Sequence, residues 1–407
     1  MTFEAIKKKL ADYDQLHILE DYETLTPQAQ AALCAQIGRL DFGILKTAAD
    51  SENNRRGEFA PPSAMSLSEI DARRKTLEKT GLEALAAGTV GAVLLAGGEG
   101  TRLGYDGPKG AMNIGETREL SLYELHFENL KKRMAISGKP IPLFIMTSAS
   151  TDAETKAFLE EKEYFGYPKD AVWFFEQDMA VCTDFSDKVF FDAEGHIAES
   201  PNGNGGWFSS MLKAGLLKTV EQLGIEWLNV FAVDNALQQI ADPCFVGAVI
   251  ESGSESGAKV VGKAAPDERV GVLCLEDGKP SIVEYFEMEK EMSERRNPDG
   301  SLTYRYGVIL NYLFSMKRLV KIGGANLPIH KAKKKIPYRN TDGERVRPTD
   351  VNGYKYETLV LDMVRLQESC LAYEVSREAE FAPIKNRDGV DSLDTARILL
   401  KNAGFVL

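Results

Sequence analysis

Residues 90–96, Val-Gly-Ala-Val-Leu-Leu-Ala, form a short apolar run. It stops at a loop with six glycines in fourteen residues: Gly97, Gly98, Gly100, Gly104, Gly107 and Gly110. An unbroken apolar run of this length, closed by glycine, reads as a strand buried on both faces. Glycine admits positive φ and lets a ligand approach the backbone. Successive N–H groups in such a loop make an anion-binding nest. Arg102 and Lys109 add two cationic side chains. Open α/β sheets gather ligands at the carboxyl ends of their strands. The stretch therefore predicts a phosphate-binding loop at the end of a central strand. Spacing excludes two common loops. The dinucleotide pattern fails because three residues, not two, separate Gly100 from Gly104; the P-loop fails because Lys109 is followed by Gly110.

The rest of the chain alternates short strands with helices from residue 90 to about 328. A helix is expected from Ser121, with Ser121 as its cap and Glu124 in the capping-box position. Strands are expected at 141–147, 172–175, 227–233, 258–263 and 270–275, and helices at 152–161 and 209–223. This alternation argues an α/β fold with a doubly wound, mostly parallel sheet. Residues 1 to about 50 read as helical, with Thr26 and Pro27 as cap and first position of one helix. Residues 50–63 read as a linker and 68–86 as a charged helix. From Lys331 a basic run, Lys331-Ala332-Lys333-Lys334-Lys335, marks a change of composition. The chain thus divides into a helical N-terminal part (1–88), a central domain (89–330) and a small C-terminal domain (331–407).

With 407 residues the chain has room for two or three domains. Its net charge of −12 argues against nucleic acid as a partner, so phosphates must be held by local cations and backbone amides. Five scattered cysteines and four histidines, without C-x-x-C, point to reduced thiols and away from a zinc site. The opening residues, with Lys8 and Lys9 close after Ile6, do not read as a signal peptide. No stretch is apolar enough to span a membrane. A cytoplasmic protein is expected, a monomer or weak homo-oligomer.

The loop Gly97-Gly98-Glu99-Gly100-Thr101-Arg102-Leu103-Gly104, together with Pro108-Lys109-Gly110, resembles the nucleotide loop of sugar-nucleotide pyrophosphorylases. The chain is most similar to the UDP-N-acetylglucosamine pyrophosphorylase branch, and its motifs extend over nearly the whole length. The resemblance implies a Rossmann-like nucleotidyltransferase core in the central domain. It implies transfer of a uridylyl group from UTP to a sugar 1-phosphate, with release of pyrophosphate and dependence on Mg²⁺.

The resemblance also assigns residues. Leu95, Ala96, Gly97, Gly98 and Lys109 match nucleotide contacts, with Arg102 and Lys109 facing the triphosphate. Gln177, ending Phe174-Phe175-Glu176-Gln177, matches a uracil reader; an amide offers both donor and acceptor. In Pro201-Asn202-Gly203-Asn204-Gly205-Gly206, Gly203 matches a uridine contact and Asn204 a sugar contact. Asp234, in Val233-Asp234-Asn235 after an apolar run, matches a nucleotide and metal contact, and one carboxylate plus substrate phosphates suits Mg²⁺. Gly271, Glu284 and Tyr285 match the sugar strand and Glu-Tyr motif. Lys355, in Asn352-Gly353-Tyr354-Lys355, matches a lysine that reaches the nucleotide, and Lys385, in Pro383-Ile384-Lys385-Asn386, one that meets phosphate. Both lysines would then arrive from the C-terminal domain as it closes on substrates. Without the resemblance, Gln177 is a solvated strand end, Asp234 a turn cap and Glu284 a surface residue. The run at 331–335 reads mainly as a surface coat.

Two positions depart from the pattern. Gly307-Val308-Ile309 carries valine where the branch has a sugar-contacting asparagine, and Leu359 and Leu361 stand where phenylalanines are usual. N-acetylglucosamine 1-phosphate is the favoured acceptor. Glucose or galactose 1-phosphate, or a broad UDP-sugar enzyme, is the alternative, and a nucleotide-sugar-binding regulator is the non-enzymatic one. Loss of Lys109, Asp234 or Lys385 would mark the regulator, and all three are present.

Overall fold

The computed structural model describes residues 1–53, 56–192, 194–323, 325, 327–340 and 342–407, with side chains described outside 50–53. The chain forms two compact units, each assembled from three separated segments. The larger contains Arg56–Glu176, Trp207–Ala325 and Leu361–Leu407; the smaller contains Met1–Arg55, Gln177–Gly206 and Asn326–Val360. This division cuts across the three consecutive regions expected from composition. The basic run at 331–335 goes with the smaller unit and the last residues with the larger.

The larger unit is built on a mixed sheet. Its spine runs Ala64–Met65, Cys370–Glu374, Ser256–Gly262, Tyr306–Ser315, Trp227–Ala232, Val90–Leu95, Leu143–Thr147, Val172–Glu176. All of these strands point the same way except Tyr306–Ser315, which is antiparallel to both neighbours. The sheet is thus mostly parallel, with a reversed strand in its interior. Short strands at 256–262 and 306–315 share their apolar character with the parallel ones, so hydropathy alone does not reveal direction. The 209–223 helix is two helices, Trp207–Lys213 and Leu217–Gln222, because Gly215 between them takes a φ of 74°.

Val90–Leu95 is buried at every residue. It lies between Leu143–Thr147 and Trp227–Ala232, in parallel register Leu95↔Met146 and Leu95↔Ala232. The chain leaving each of these strands therefore emerges at one sheet edge. One helix behind the sheet, Leu67–Ala87, is closed by a Ser66–Glu69 capping box. It lies tightly against Pro243–Ser252: a Cβ at Gly81 would run into the Pro243 carbonyl, and one at Gly247 into that of Leu77. The helix Leu122–Ser137 is capped by Ser121 as expected, but the Glu124 carboxylate turns to Arg118 at 2.7 Å, not back to the cap.

The smaller unit carries a four-stranded antiparallel sheet in the order His330–Lys334, Gly353–Glu357, Met179–Asp184, Glu199–Pro201. N-terminal helices cover it. Pro27–Arg39, capped by Thr26 with Pro27 at its first position, sends Gln36 to the backbone of Ile197 and Arg39 to Glu199. Ile6, Leu10, Leu33, Ile37 and Tyr356 share one core there. Helix Gly43–Asn53 extends into the segment read as a linker, while Asn54 and Arg55 of that linker lie outside the described residues.

Candidate active site

The glycine loop folds back on itself. Gly100 N–H donates to the Gly107 carbonyl at 3.0 Å and Lys109 N–H to that of Gly98 at 3.1 Å. The loop is therefore a closed, preorganised turn, although its glycines serve different ends. Around Gly98 the space where a Cβ would sit is open, so the backbone there admits a ligand. At Gly110 a Cβ would enter the Tyr123 ring. Packing against Tyr123 therefore requires glycine at Gly110 whatever its backbone binds. Leu95 and Ala96 are buried beneath the loop. Arg102 is exposed on the turn Thr101–Leu103.

Lys109 and Asp234 meet. The Lys109 Nζ lies 3.5 Å from Asp234 Oδ2, with both side chains largely buried. Neighbouring parallel strands bring them together, since Asp234 follows Trp227–Ala232 just as the loop follows Val90–Leu95. Beneath them the His126 ring, fully buried, bonds the Val233 carbonyl at 2.9 Å. Burial pushes this imidazole down to about 4, against the pull of that carbonyl and of Asp234, so it is neutral at pH 7 and donates through Nε2.

The segment carrying Lys385 is fastened alongside. Ile384 N–H donates to the Asp234 carbonyl at 2.9 Å, and Asn235 grips the Glu380 carbonyl and the Ala382 N–H at 2.7 and 2.8 Å. Glu380 in turn pairs with Lys259 at 2.6 Å, and Lys259, wholly buried, also meets Asp242 at 2.9 Å. Burial opposes the charge on Lys259, yet the two carboxylates hold its pKa above the usual lysine value. Lys385 itself is half-exposed, 4.0 Å from Asp391. Asn235 and Lys259 escaped sequence reasoning. An asparagine next to an aspartate and a lysine within an apolar strand give no signal until the fold closes around them.

Gly271, Glu284 and Val308 converge on the adjoining part of the same unit. A Cβ at Gly271 would stand 3.6 Å from Glu284 Oε2 and 3.5 Å from Val308 Cγ2. Val308 N–H donates to the Gly271 carbonyl at 2.9 Å. Tyr285 is exposed, its ring edge-on to Phe286.

The smaller unit holds the other candidates. Gln177 is buried and spends one amide hydrogen on the Gly203 carbonyl at 3.2 Å. Gly203 has a φ of 86°, and a Cβ there would strike the Thr358 backbone. Asn204 accepts from Val360 N–H at 2.9 Å, so it also holds the chain. Lys355 lies on the strand Gly353–Glu357. Lys355 and Lys385 therefore belong to different units, and do not arrive together on one C-terminal domain. Lys331 is no surface coat: its ammonium pairs with Asp187 at 3.2 Å over the Tyr354 ring.

The larger unit thus gathers at neighbouring strand ends a glycine loop that carries Lys109, the Asp234 carboxylate paired with it, and the Lys385 segment bonded to the Asp234 backbone. A family model described as UTP–glucose-1-phosphate uridylyltransferase matches residues 48–402, and the chain belongs to that family. It is a UTP:sugar-1-phosphate uridylyltransferase. More particularly, it is similar to the UDP-N-acetylglucosamine pyrophosphorylase of Saccharomyces cerevisiae, 33% identical over 98% of this chain and 86% of that protein. It is 38% identical to the UDP-N-acetylhexosamine pyrophosphorylase-like protein 1 of Xenopus tropicalis, over 77% of this chain; the match spans 63% of that longer relative. The crystal structure of a uridine diphosphate N-acetylglucosamine pyrophosphorylase from Trypanosoma brucei, in complex with inhibitor, superposes with a TM-score of 0.84 at 30% identity, covering 98% of this chain and 84% of that one.

Proposed function

We propose that the chain makes UDP-N-acetylglucosamine and pyrophosphate from UTP and N-acetylglucosamine 1-phosphate. The Lys109–Asp234 pair beside the open backbone at Gly98 carries this reading. In the reaction a phosphate oxygen of the sugar 1-phosphate bonds to the α-phosphorus of UTP. The bond from that phosphorus to the bridging oxygen breaks, and pyrophosphate leaves with the electron pair. The protein's task is to orient the two phosphates and to meet charge on phosphoryl oxygens. Lys109 and Arg102 neutralise the triphosphate while loop amides from 97 and 98 hold it. Lys385 meets the sugar phosphate. Gln177 and Gly203 read uracil, Lys355 the nucleotide phosphates, and Asn204, Gly271, Glu284 and Tyr285 the sugar.

Mg²⁺ fits this donor set. Asp234 offers a carboxylate, Asp391 lies near enough to feel its charge, and no group of three or more candidate ligands occurs among the described residues. Magnesium is commonly held by one or two carboxylates plus substrate phosphates. Asp234 would hold the ion, and the ion would supply charge neutralisation on the phosphates.

The free thiols Cys34, Cys182, Cys244, Cys274 and Cys370 support a reducing, cytoplasmic setting, and no helix among the described residues is long and apolar enough to cross a membrane. A monomer or weak homo-oligomer remains the proposed state. Val308 beside Gly271 and Glu284 favours a second reading, a plain hexose 1-phosphate, because it removes a polar partner from the sugar side. Side-by-side turnover of acetylated and plain sugar 1-phosphates separates the two.

A further inference from the structure

Arg56 comes from the segment read as a linker, and none of the motifs includes it. Its guanidinium is nevertheless largely spent. Nε donates to Glu276 at 3.1 Å, Nη1 to Glu287 at 3.0 Å, and Nη2 to the Ser281 hydroxyl and the Ile282 carbonyl at 3.1 and 3.2 Å. The group lies over the Phe59 ring and is only 25% exposed. Each partner belongs to the sugar side of the larger unit. Glu276 ends the strand Val272–Glu276, and Ser281 and Ile282 lie on its hairpin partner Lys279–Val283. Glu287 closes the turn after that hairpin.

That turn begins at Glu284. Glu287 N–H and Met288 N–H donate to the Glu284 carbonyl at 2.9 and 3.1 Å, and the Glu287 carboxylate accepts from Glu284 N–H at 3.2 Å. One carboxylate oxygen, Glu287 Oε2, thus receives both Arg56 and the backbone of Glu284. The planar guanidinium fixes two carboxylates and a carbonyl at set angles, which an ammonium does not reproduce. Glu276 is also held by Arg365 at 3.2 Å, by the Gly57 N–H at 2.9 Å and by the Ser281 hydroxyl at 2.7 Å, whereas Arg56 joins the hairpin to the turn.

We propose that Arg56 is a positioning residue for sugar recognition: by holding Glu287 it fixes the turn that aims the Glu284 carboxylate beside Gly271. This rests on the reading of Glu284 as a sugar contact. Arg56 touches neither substrate and orders a residue that does.

The test is steady-state kinetics with UTP and N-acetylglucosamine 1-phosphate, using Arg56→Met, Arg56→Lys, Arg56→Ala, Glu287→Gln and Glu284→Gln, with Arg73→Met as control. Arg56→Met is expected to raise KM for the sugar 1-phosphate about tenfold, the scale of one misaligned hydrogen-bonding group, with KM for UTP within about twofold. Arg56→Lys should recover little of this, and Glu287→Gln should show the same split. Added guanidinium should partly restore sugar KM in Arg56→Ala. In a Glu284→Gln background, Arg56→Met should add little more. Equal shifts in both KM values, no shift, or full additivity with Glu284→Gln would overturn the proposal. So would the same split in Arg73→Met, which breaks an unrelated 2.7 Å pair with Glu251. If Glu284→Gln leaves sugar KM unchanged, the sugar reading of Glu284 falls and the proposal with it; a raised sugar KM in Glu284→Gln with none in Arg56→Met overturns the proposal alone.

Discussion

Lys109 and Asp234 are 3.5 Å apart with most of both side chains out of solvent. Lys109→Ala and Asp234→Ala should each lower kcat about 100-fold or more, the scale of losing one preorganised charge at a transition state. Circular dichroism should show the fold intact. Wild-type turnover in either variant would remove that residue from the mechanism. Gln177→Ala should raise KM for UTP more than KM for the sugar 1-phosphate, because its amide is the candidate base reader and its bond to Gly203 orients it; equal changes would count against a base contact. At this scale the sequence singled out Lys109 and Asp234 from contiguous motifs, and the fold brings the two side chains together. It was silent on Asn235, Lys259 and Arg56, whose partners lie on other segments of the chain. It did not show that packing requires glycine at Gly110 or that the Lys331 side chain is mostly covered, because a packing glycine and a ligand glycine look alike in a row of letters, as do a covered lysine and a surface one.

Each strand end of the central sheet depends on what is packed below it. His126 is held neutral under Val233, with its folded value near 4 against 6.5 when unfolded. The unfolded chain therefore binds more protons between those values. Stability is full above about pH 6.5 and falls as pH drops toward 4, by roughly 3 kcal/mol in all. Urea melts across this window should show that slope, and His126→Gln should flatten it. Lys259→Met would leave Asp242 and Glu380 buried without their cation and should cost about 4 kcal/mol; a melting temperature equal to wild type would show the triad to be dispensable. Most strands and caps of this sheet were readable from apolar runs and cap residues. No strand was expected at the reversed Tyr306–Ser315, nor at Lys279–Val283 or Cys370–Glu374, and the break at Gly215 was missed as well.

The whole molecule is two units woven from alternating segments, and this was the least legible level. Composition changes at Lys331, but chain order says nothing about which distant segments pack together, and the hydrophobic faces that decide it are complementary only in three dimensions. Family membership, by contrast, was legible from the glycine loop and the motifs at 201–206, 233–235 and 383–386. Uridylyl transfer with preference for an acetylated sugar is the activity proposed for this chain. It is tested most directly by pyrophosphate release with UTP and Mg²⁺, offering N-acetylglucosamine, N-acetylgalactosamine, glucose and galactose 1-phosphates in parallel. Rapid release is expected with N-acetylglucosamine 1-phosphate, and much slower release with the plain hexose phosphates. Faster turnover of glucose or galactose 1-phosphate would contradict the sugar assignment, and no release with any of the four would contradict the transferase itself.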